Sequence, residues 1–139
     1  MGLKYDELKK LLAMQPKPRR KPRHKEESVQ TACVTYFRVK YPMYIIMAIP
    51  NGGFRNSREA ANMKRAGMLA GASDLLIIAE RNVLFLEAKV DGNKQTELQV
   101  AFQKAVERLG FTYKVFHSLD EFKVIVERWF KDRYGYDIR

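Results

Sequence analysis

Asp74-Leu75-Leu76-Ile77-Ile78-Ala79, Glu80-Arg81-Asn82 and Val83-Leu84-Phe85-Leu86-Glu87-Ala88-Lys89 follow one another without a break, and they decide how this chain is read. Two short apolar runs flank a polar tripeptide. The pattern predicts two strands joined by a turn at Glu80-Arg81-Asn82. Strand side chains alternate, so Glu87 and Lys89 fall on one side at the end of the second strand, while Asp74 opens the first. Charges at the ends of apolar strands are costly to bury unless they are paired or hold a metal. Two carboxylates and a lysine converging on one point form a donor set for Mg²⁺ and a positioned water, the chemistry of phosphodiester cleavage. The plain alternative is a set of solvated strand-end charges, and a bare D…ExK match does not separate the two.

Working outward, residues 26–40 predict a helix with Val29, Ala32, Cys33, Tyr36 and Phe37 on one face, ended by Pro42. Tyr44 to Ile49 predicts a buried strand. Pro50-Asn51-Gly52-Gly53 is a loop in which glycine permits positive φ and close backbone approach. Asn56-Ser57-Arg58-Glu59 resembles a capping box and opens a helix expected to reach about Ala70. Thr96-Glu97-Leu98-Gln99 is a second box, opening a helix that Gly110 stops. Thr112 to His117 predicts a strand. Ser118-Leu119-Asp120-Glu121 opens a last helix with Phe122, Ile125, Val126, Trp129 and Phe130 on its apolar face. The expected architecture is α/β, a mixed sheet flanked by helices, with the 74–89 hairpin at its centre.

The 139 residues suffice for one domain with a core, and 46% of them are hydrophobic. No apolar run approaches the roughly 18 residues of a membrane span, and no apolar signal core opens the chain. Cys33 is the only cysteine, which excludes an intrachain disulfide and a cysteine-rich zinc site and suits a reducing cytoplasm. Neither His24 nor His117 has a ligand-spaced partner, which argues against a Ser-His-Asp hydrolase or an HNH-type nuclease. The net charge of +10 points to a polyanionic partner, nucleic acid first. Lys17, Arg19, Arg20, Lys21, Arg23 and Lys25 carry six of those charges in a Pro-rich stretch that cannot be helical. It reads as a phosphate-backbone clamp or as a solubilising or targeting tail. Leu3, Leu8, Leu11, Leu12 and Met14 before it have the spacing of a short amphipathic helix. Residues 1–25 are thus a helix and basic arm, and 26–139 are the domain.

Glu26-Glu27-Ser28-Val29-Gln30, Pro50-Asn51-Gly52-Gly53-Phe54-Arg55, Lys64-Arg65-Ala66-Gly67, Gly71-Ala72-Ser73-Asp74-Leu75, Glu87-Ala88-Lys89 and Thr96-Glu97-Leu98-Gln99 occur in that order. On these elements the chain resembles the VRR-NUC (virus-type replication-repair nuclease) family of the PD-(D/E)XK superfamily, over about residues 26 to 130. Ser73 departs from the pattern, standing where the superfamily name implies proline. The resemblance implies a restriction-endonuclease-like fold and metal-dependent cleavage of DNA in replication, repair and recombination. It implies a Holliday-junction-resolvase-like, stand-alone form, common in phages and prophages.

The roles follow from residues and resemblance together. Asp74 and Glu87 are the expected carboxylate ligands of Mg²⁺ or Mn²⁺, with the Ala88 carbonyl a further ligand by resemblance only. Lys89 is expected to orient or deprotonate the attacking water. Glu26 shares its helix face with Val29, Cys33 and Phe37 and is preferred as a third carboxylate over Glu27, about 100° away around the helix. Gln99 matches the superfamily's glutamine, which by resemblance contacts the active-site water or the substrate phosphate; the plain alternative is that it closes the box with Thr96, and both can hold. Asn51, Gly52, Gly53 and Arg55 are expected to hold a DNA phosphate, with Lys64 and the arm cations Lys17, Arg19, Arg20, Lys21 and Arg23 adding contacts. The expected function is a structure-selective endodeoxyribonuclease acting on branched DNA as a homodimer, with the N-terminal helix and the stretch Trp129 to Tyr136 as interface material. A non-catalytic nucleic-acid-binding module, a flap or nicking enzyme and a restriction-type enzyme are the alternatives.

Overall fold

The two apolar runs become strands β2 (Leu75–Ala79) and β3 (Asn82–Ala88) in the computed structural model, which describes Asp6, Lys9, Lys10 and residues 25–90 and 92–135. They pair antiparallel, with Leu75 opposite Leu86 and Ala79 opposite Asn82. The turn is therefore Glu80-Arg81 alone. Asn82, expected in the turn, is a buried strand residue whose Oδ1 accepts from Val83 N at 3.0 Å. Arg81 adopts a φ of 56°, a region non-glycine residues visit rarely. Tyr134 near the chain's C-terminal end steadies this turn, its hydroxyl donating to the Glu80 carbonyl at 3.2 Å.

Strand β1 (Ile45–Ala48) pairs antiparallel with β2, and β4 (Thr112–Phe116) pairs parallel with β3, giving the order β1-β2-β3-β4. The hairpin is thus the centre of a mixed sheet, as its sequence predicts. A parallel pair needs a crossover; helix α3 (Glu97–Arg108) supplies it. Helix α1 is Lys25–Lys40, α2 is Ser57–Arg65 and α4 is Leu119–Tyr134.

Alternation divides the sheet into two unlike faces. Ile46, Leu75, Ile77, Leu84, Leu86 and Phe116 form one continuous core with Cys33 and Phe37 of α1 and Phe122, Val126, Trp129 and Phe130 of α4. Each fully buried phenylalanine there contributes about 1.5–3 kcal/mol. The rings interlock: Phe37 stacks on Phe130 at 6.4 Å, and Phe116 meets Phe122 edge-on at 5.3 Å. Cys33 has no exposure, and burial pushes its thiol up to about 12, so it acts as a core residue. On the opposite face α3 lies over β3 and β4, with Phe102 against Phe85 at 5.7 Å and against Tyr113 at 6.1 Å.

Three expectations are corrected. The β1 strand is not buried: only Ile46 is, and Met47 is 46% exposed, because an edge strand on the half-covered side of the sheet has nothing over it. Helix α2 stops at Arg65, short of Ala70. Gly67, at φ 111°, donates to Lys64 O, and Met68 donates to Met63 O, which closes the helix in a Schellman motif. The described part of the C-terminal aromatic stretch, expected as interface, packs on its own core; Trp129 and Phe130 are buried. Of the N-terminal helix only Asp6, Lys9 and Lys10 are described, and they are helical; its apolar residues Leu3, Leu8, Leu11, Leu12 and Met14, the arm cations 17–23, His24 and Tyr136 lie outside the described residues. No helix among the described residues is long and apolar enough to cross a membrane.

Candidate active site

Asp74 and Glu87 stand one residue beyond the Leu75–Leu86 pair, on adjoining strand ends and on the same face by alternation. Each carboxylate accepts from the other strand's backbone. Ala88 N donates to Asp74 Oδ2 at 2.9 Å, and Asp74 N donates to Glu87 Oε2 at 3.1 Å. Glu87 is 2% exposed, an uncommon depth for a glutamate. Burial first, then repulsion from Asp74, raises its pKa; Lys89 opposes the rise. Asp74 is raised by burial as well, against the lowering bond from Ala88 N, with the Glu26 charge adding to the rise. Two carboxylates forced together in a half-dry site disfavour double ionisation. A cation between them relieves both causes.

Lys89 Nζ lies 4.0 Å from Glu87 Oε1, and its side chain is 12% exposed. Its backbone N–H donates to Phe116 O at 2.9 Å, so the β3–β4 ladder carries it to the site's edge. Gln99 closes the expected capping box and also bonds Glu87. Its Oε1 accepts from Thr96 N at 2.9 Å and its N–H donates to Thr96 Oγ1 at 3.3 Å, a complete capping box. Its Nε2 donates to Glu87 Oε1 at 2.7 Å. One residue thus starts α3 and holds the buried glutamate.

Glu26, half-buried, reaches the same region across 64 residues of sequence: its Oε1 accepts from Val90 N at 3.3 Å and from Asn93 Nδ2 at 3.1 Å. Glu27 is exposed. Among the described residues no three His, Cys, Asp or Glu side chains gather closely enough to hold a metal ion, so Glu26 stands as an outer acid beside a two-carboxylate pair. Ala88 is 1% exposed within the core.

The loop after β1 is tied to the site. Ile49 N donates to Asp74 O at 2.8 Å, and Asn51 Nδ2 donates to Ala72 O at 3.0 Å. Asn51's amide therefore shapes the loop. Gly53 has a φ of 81°, and a Cβ on Gly52 or Gly53 would meet open space, so no neighbour in the described chain requires these glycines to be bare. Arg55 lines a groove of about 470 Å³ at the start of α2 together with Arg58, Asn56 and Asn62. Lys64 is exposed in the last turn of α2.

Several residues of the site were not legible in advance. Asn93 and Gln95 sit in the strand-to-helix loop, with no motif to single them out. Gln95 Nε2 donates to Gln103 Oε1 at 3.0 Å and to the Tyr113 hydroxyl at 3.2 Å, a polar row beneath α3. Tyr113 is 3% exposed and its hydroxyl is raised by burial and by the Glu87 charge. Ser73, fully buried in the place of the superfamily proline, donates to Leu75 O at 3.2 Å.

No family model and no curated protein matches the chain. Solved structures do. A protein described as "VRR_NUC domain protein" superposes with a TM-score of 0.63 at 25% identity, covering 80% of this chain and 92% of its own. Another, described as "VRR_NUC domain", superposes with a TM-score of 0.56 at 20% identity, covering 77% of this chain and 99% of its own. The four-stranded mixed sheet, its flanking helices and these superpositions make the chain's fold that of the VRR-NUC domain, a PD-(D/E)XK fold.

Proposed function

We propose that this chain is a Mg²⁺- or Mn²⁺-dependent endodeoxyribonuclease that acts on branched DNA in the manner of a Holliday-junction resolvase. Its similarity to VRR-NUC domain proteins implies a nuclease family. The observation that carries the reading is the buried Glu87 beside Asp74, with Lys89 and Gln99 on the same carboxylate oxygen. Each acid accepts an amide from the opposite strand, but two like-charged carboxylates set together repel, a cost that a bound cation offsets.

Asp74 and Glu87 fit a hard divalent cation, which takes oxygen ligands and keeps several waters, so few protein ligands suffice. When bound, such an ion polarises the phosphoryl oxygen and makes a water acidic. The chain's own residues do the rest. Gln99 fixes the orientation of Glu87 through Oε1. Lys89 holds positive charge beside that oxygen, where it can offset a phosphate and orient the attacking water by donating to it. Glu26 adds negative charge at the rim. The loop 51–55 and Lys64 meet the backbone of the duplex, and the basic arm 17–25 adds sequence-independent attraction. Two paired incisions across a four-way junction require two such sites, so the active species is a two-fold dimer.

Cleavage of four-way junction, flap, fork and linear duplex in Mg²⁺, in Mn²⁺ and in EDTA tests the reading. Asp74→Asn, Glu87→Gln and Lys89→Ala are each expected to lose cleavage by at least about 100-fold while melting as cooperatively as the parent. Full cleavage by folded Glu87→Gln protein would falsify the site. Binding of every DNA without cleavage of any would favour the non-catalytic module. A monomer by light scattering, with junction DNA present, would turn the reading toward a flap or nicking enzyme.

A further inference from the structure

A cavity of about 470 Å³ lies at the other end of the sheet from the carboxylates. Its floor is the beginning of β3 and β4: Asn82, Thr112 and Lys114. By register and alternation these belong to the face covered by α1 and α4, whereas Asp74 and Glu87 belong to the other. Asn82 and Glu87 are five steps apart along β3, about 17 Å of strand.

The cavity wall is the outer part of α4. Arg128, Trp129, Asp132 and Arg133 line it. With Lys114, three cations face one carboxylate, so the cavity carries an excess of two positive charges. None of the four forms an ion pair with a described carboxylate or cation; Arg133 makes one long hydrogen bond, 3.5 Å, to the Arg81 carbonyl and lies near the Tyr134 hydroxyl. Asn82 has its Oδ1 engaged by Val83 N, which leaves its amide nitrogen as the donor available there. Val124, Ile125 and Trp129 supply the apolar side.

These features select a ligand. A phosphomonoester carries about 1.5–2 negative charges at neutral pH and three strong acceptor oxygens, which matches the charge excess. Guanidinium forks and a lysine suit phosphate oxygens. An amide, a hydroxyl and an apolar wall beside them suit a base and its sugar, and the volume lies in the range of small-molecule sites. We propose that this cavity binds a nucleoside monophosphate, either free or as the phosphorylated end of a single strand. The site lies apart from the proposed nuclease centre, and the two readings fail independently.

Trp129 is the chain's single tryptophan and it lines the cavity, so intrinsic fluorescence reports occupancy directly. The experiment is a titration with dAMP in EDTA, beside deoxyadenosine, inorganic phosphate and a short single strand with a 5′-phosphate or a 5′-hydroxyl. A saturable response to dAMP is expected, at least about ten-fold weaker in Arg128→Glu and Lys114→Glu and unmoved in Glu87→Gln. Both cationic positions are exposed, so these variants fold, which circular dichroism checks. A response to the 5′-phosphorylated strand and not to its 5′-hydroxyl form assigns the site to strand ends. A response to dAMP alone assigns it to free nucleotide. Silence with both dAMP and the 5′-phosphorylated strand in folded protein overturns the proposal. So does an equal response to deoxyadenosine, or a response lost in Glu87→Gln and kept in Arg128→Glu.

Discussion

Helices α2 and α3 are written in nearly the same local code and have opposite fates. Each begins on a polar cap with an acid or amide three residues later: Asn56 accepts from Glu59 N at 2.9 Å, Thr96 from Gln99 N at 3.3 Å. Each ends on a positive-φ glycine with the same pair of carbonyl bonds, Gly67 in one and Gly110 in the other. Yet α2 has no buried residue. Helix α3 buries Val106, lays Phe102 on the sheet and sends Gln99 to Glu87. Caps decide where a helix starts and stops, and they say nothing about whether the fold depends on it. Capping chemistry contributes about 1 kcal/mol to either helix; packing decides whether that energy is felt globally.

The sharpest way to break the contrast is at Gly71. A Cβ there would stand 2.5 Å from the carbonyl carbon and oxygen of Leu98, in the first turn of α3, and Gly71 has a φ of 84°. Backbone cannot yield as a flexible side chain does. Gly71→Ala is expected to cost about 2–4 kcal/mol, from overpacking plus the left-handed penalty, and to push Gln99 off Glu87. Urea denaturation measures it; a loss under about 0.5 kcal/mol would mean the loop and α3 are not seated on each other.

Smaller, and paired, are the two caps. Thr96→Ala is expected to lower global stability by about 1 kcal/mol, because it frees a helix that is part of the core. Asn56→Ala removes the same kind of bond and is expected to fray α2 while leaving the urea midpoint within about 0.5 kcal/mol of the parent. Equal midpoint shifts would erase the distinction. Hydrogen exchange then shows where Asn56→Ala acts, in amides 57–67 and nowhere else.

Much of this was legible because it is local. The alternation in 75–88 sets the register, and Thr96 with Gln99 announces a cap within four residues. The helix wheel separates Glu26 from Glu27. What was not legible is pairing across distance. Nothing near Asn93 shows that Glu26 awaits it, and Gly71 gives no sign of Leu98. Trp129 and Phe130 look like interface material until Phe37 and Tyr41 are placed against them, with Tyr41 4.8 Å from Phe130. The sequence reads α2 as longer for a related reason: Ala66 and Met68 continue a helical composition, and only the glycine between them ends it. Gln99 was half read, since its cap is local and its bond to Glu87 is not.

The smallest expected effect lies on α2 itself. If its exposed surface and the loop just before it serve DNA rather than the fold, Arg55→Ala in the loop and Lys64→Ala on the helix leave stability unchanged. Each then lowers the slope of log affinity against log salt by about 0.9 on duplex DNA. An unchanged slope in both, by fluorescence anisotropy across a salt series, would leave α2 without a role in binding.

The reciprocal bonds between Asp74 and Glu87 have one more consequence. The two acids act as the last rung of the β2–β3 ladder, each receiving an amide from the opposite strand. Whatever draws those oxygens away, an ion or a substituted side chain, leaves the amide protons of Asp74 and Ala88 open to solvent. Two backbone resonances are therefore built-in gauges of the site, readable in the protein at rest, before any substrate is added.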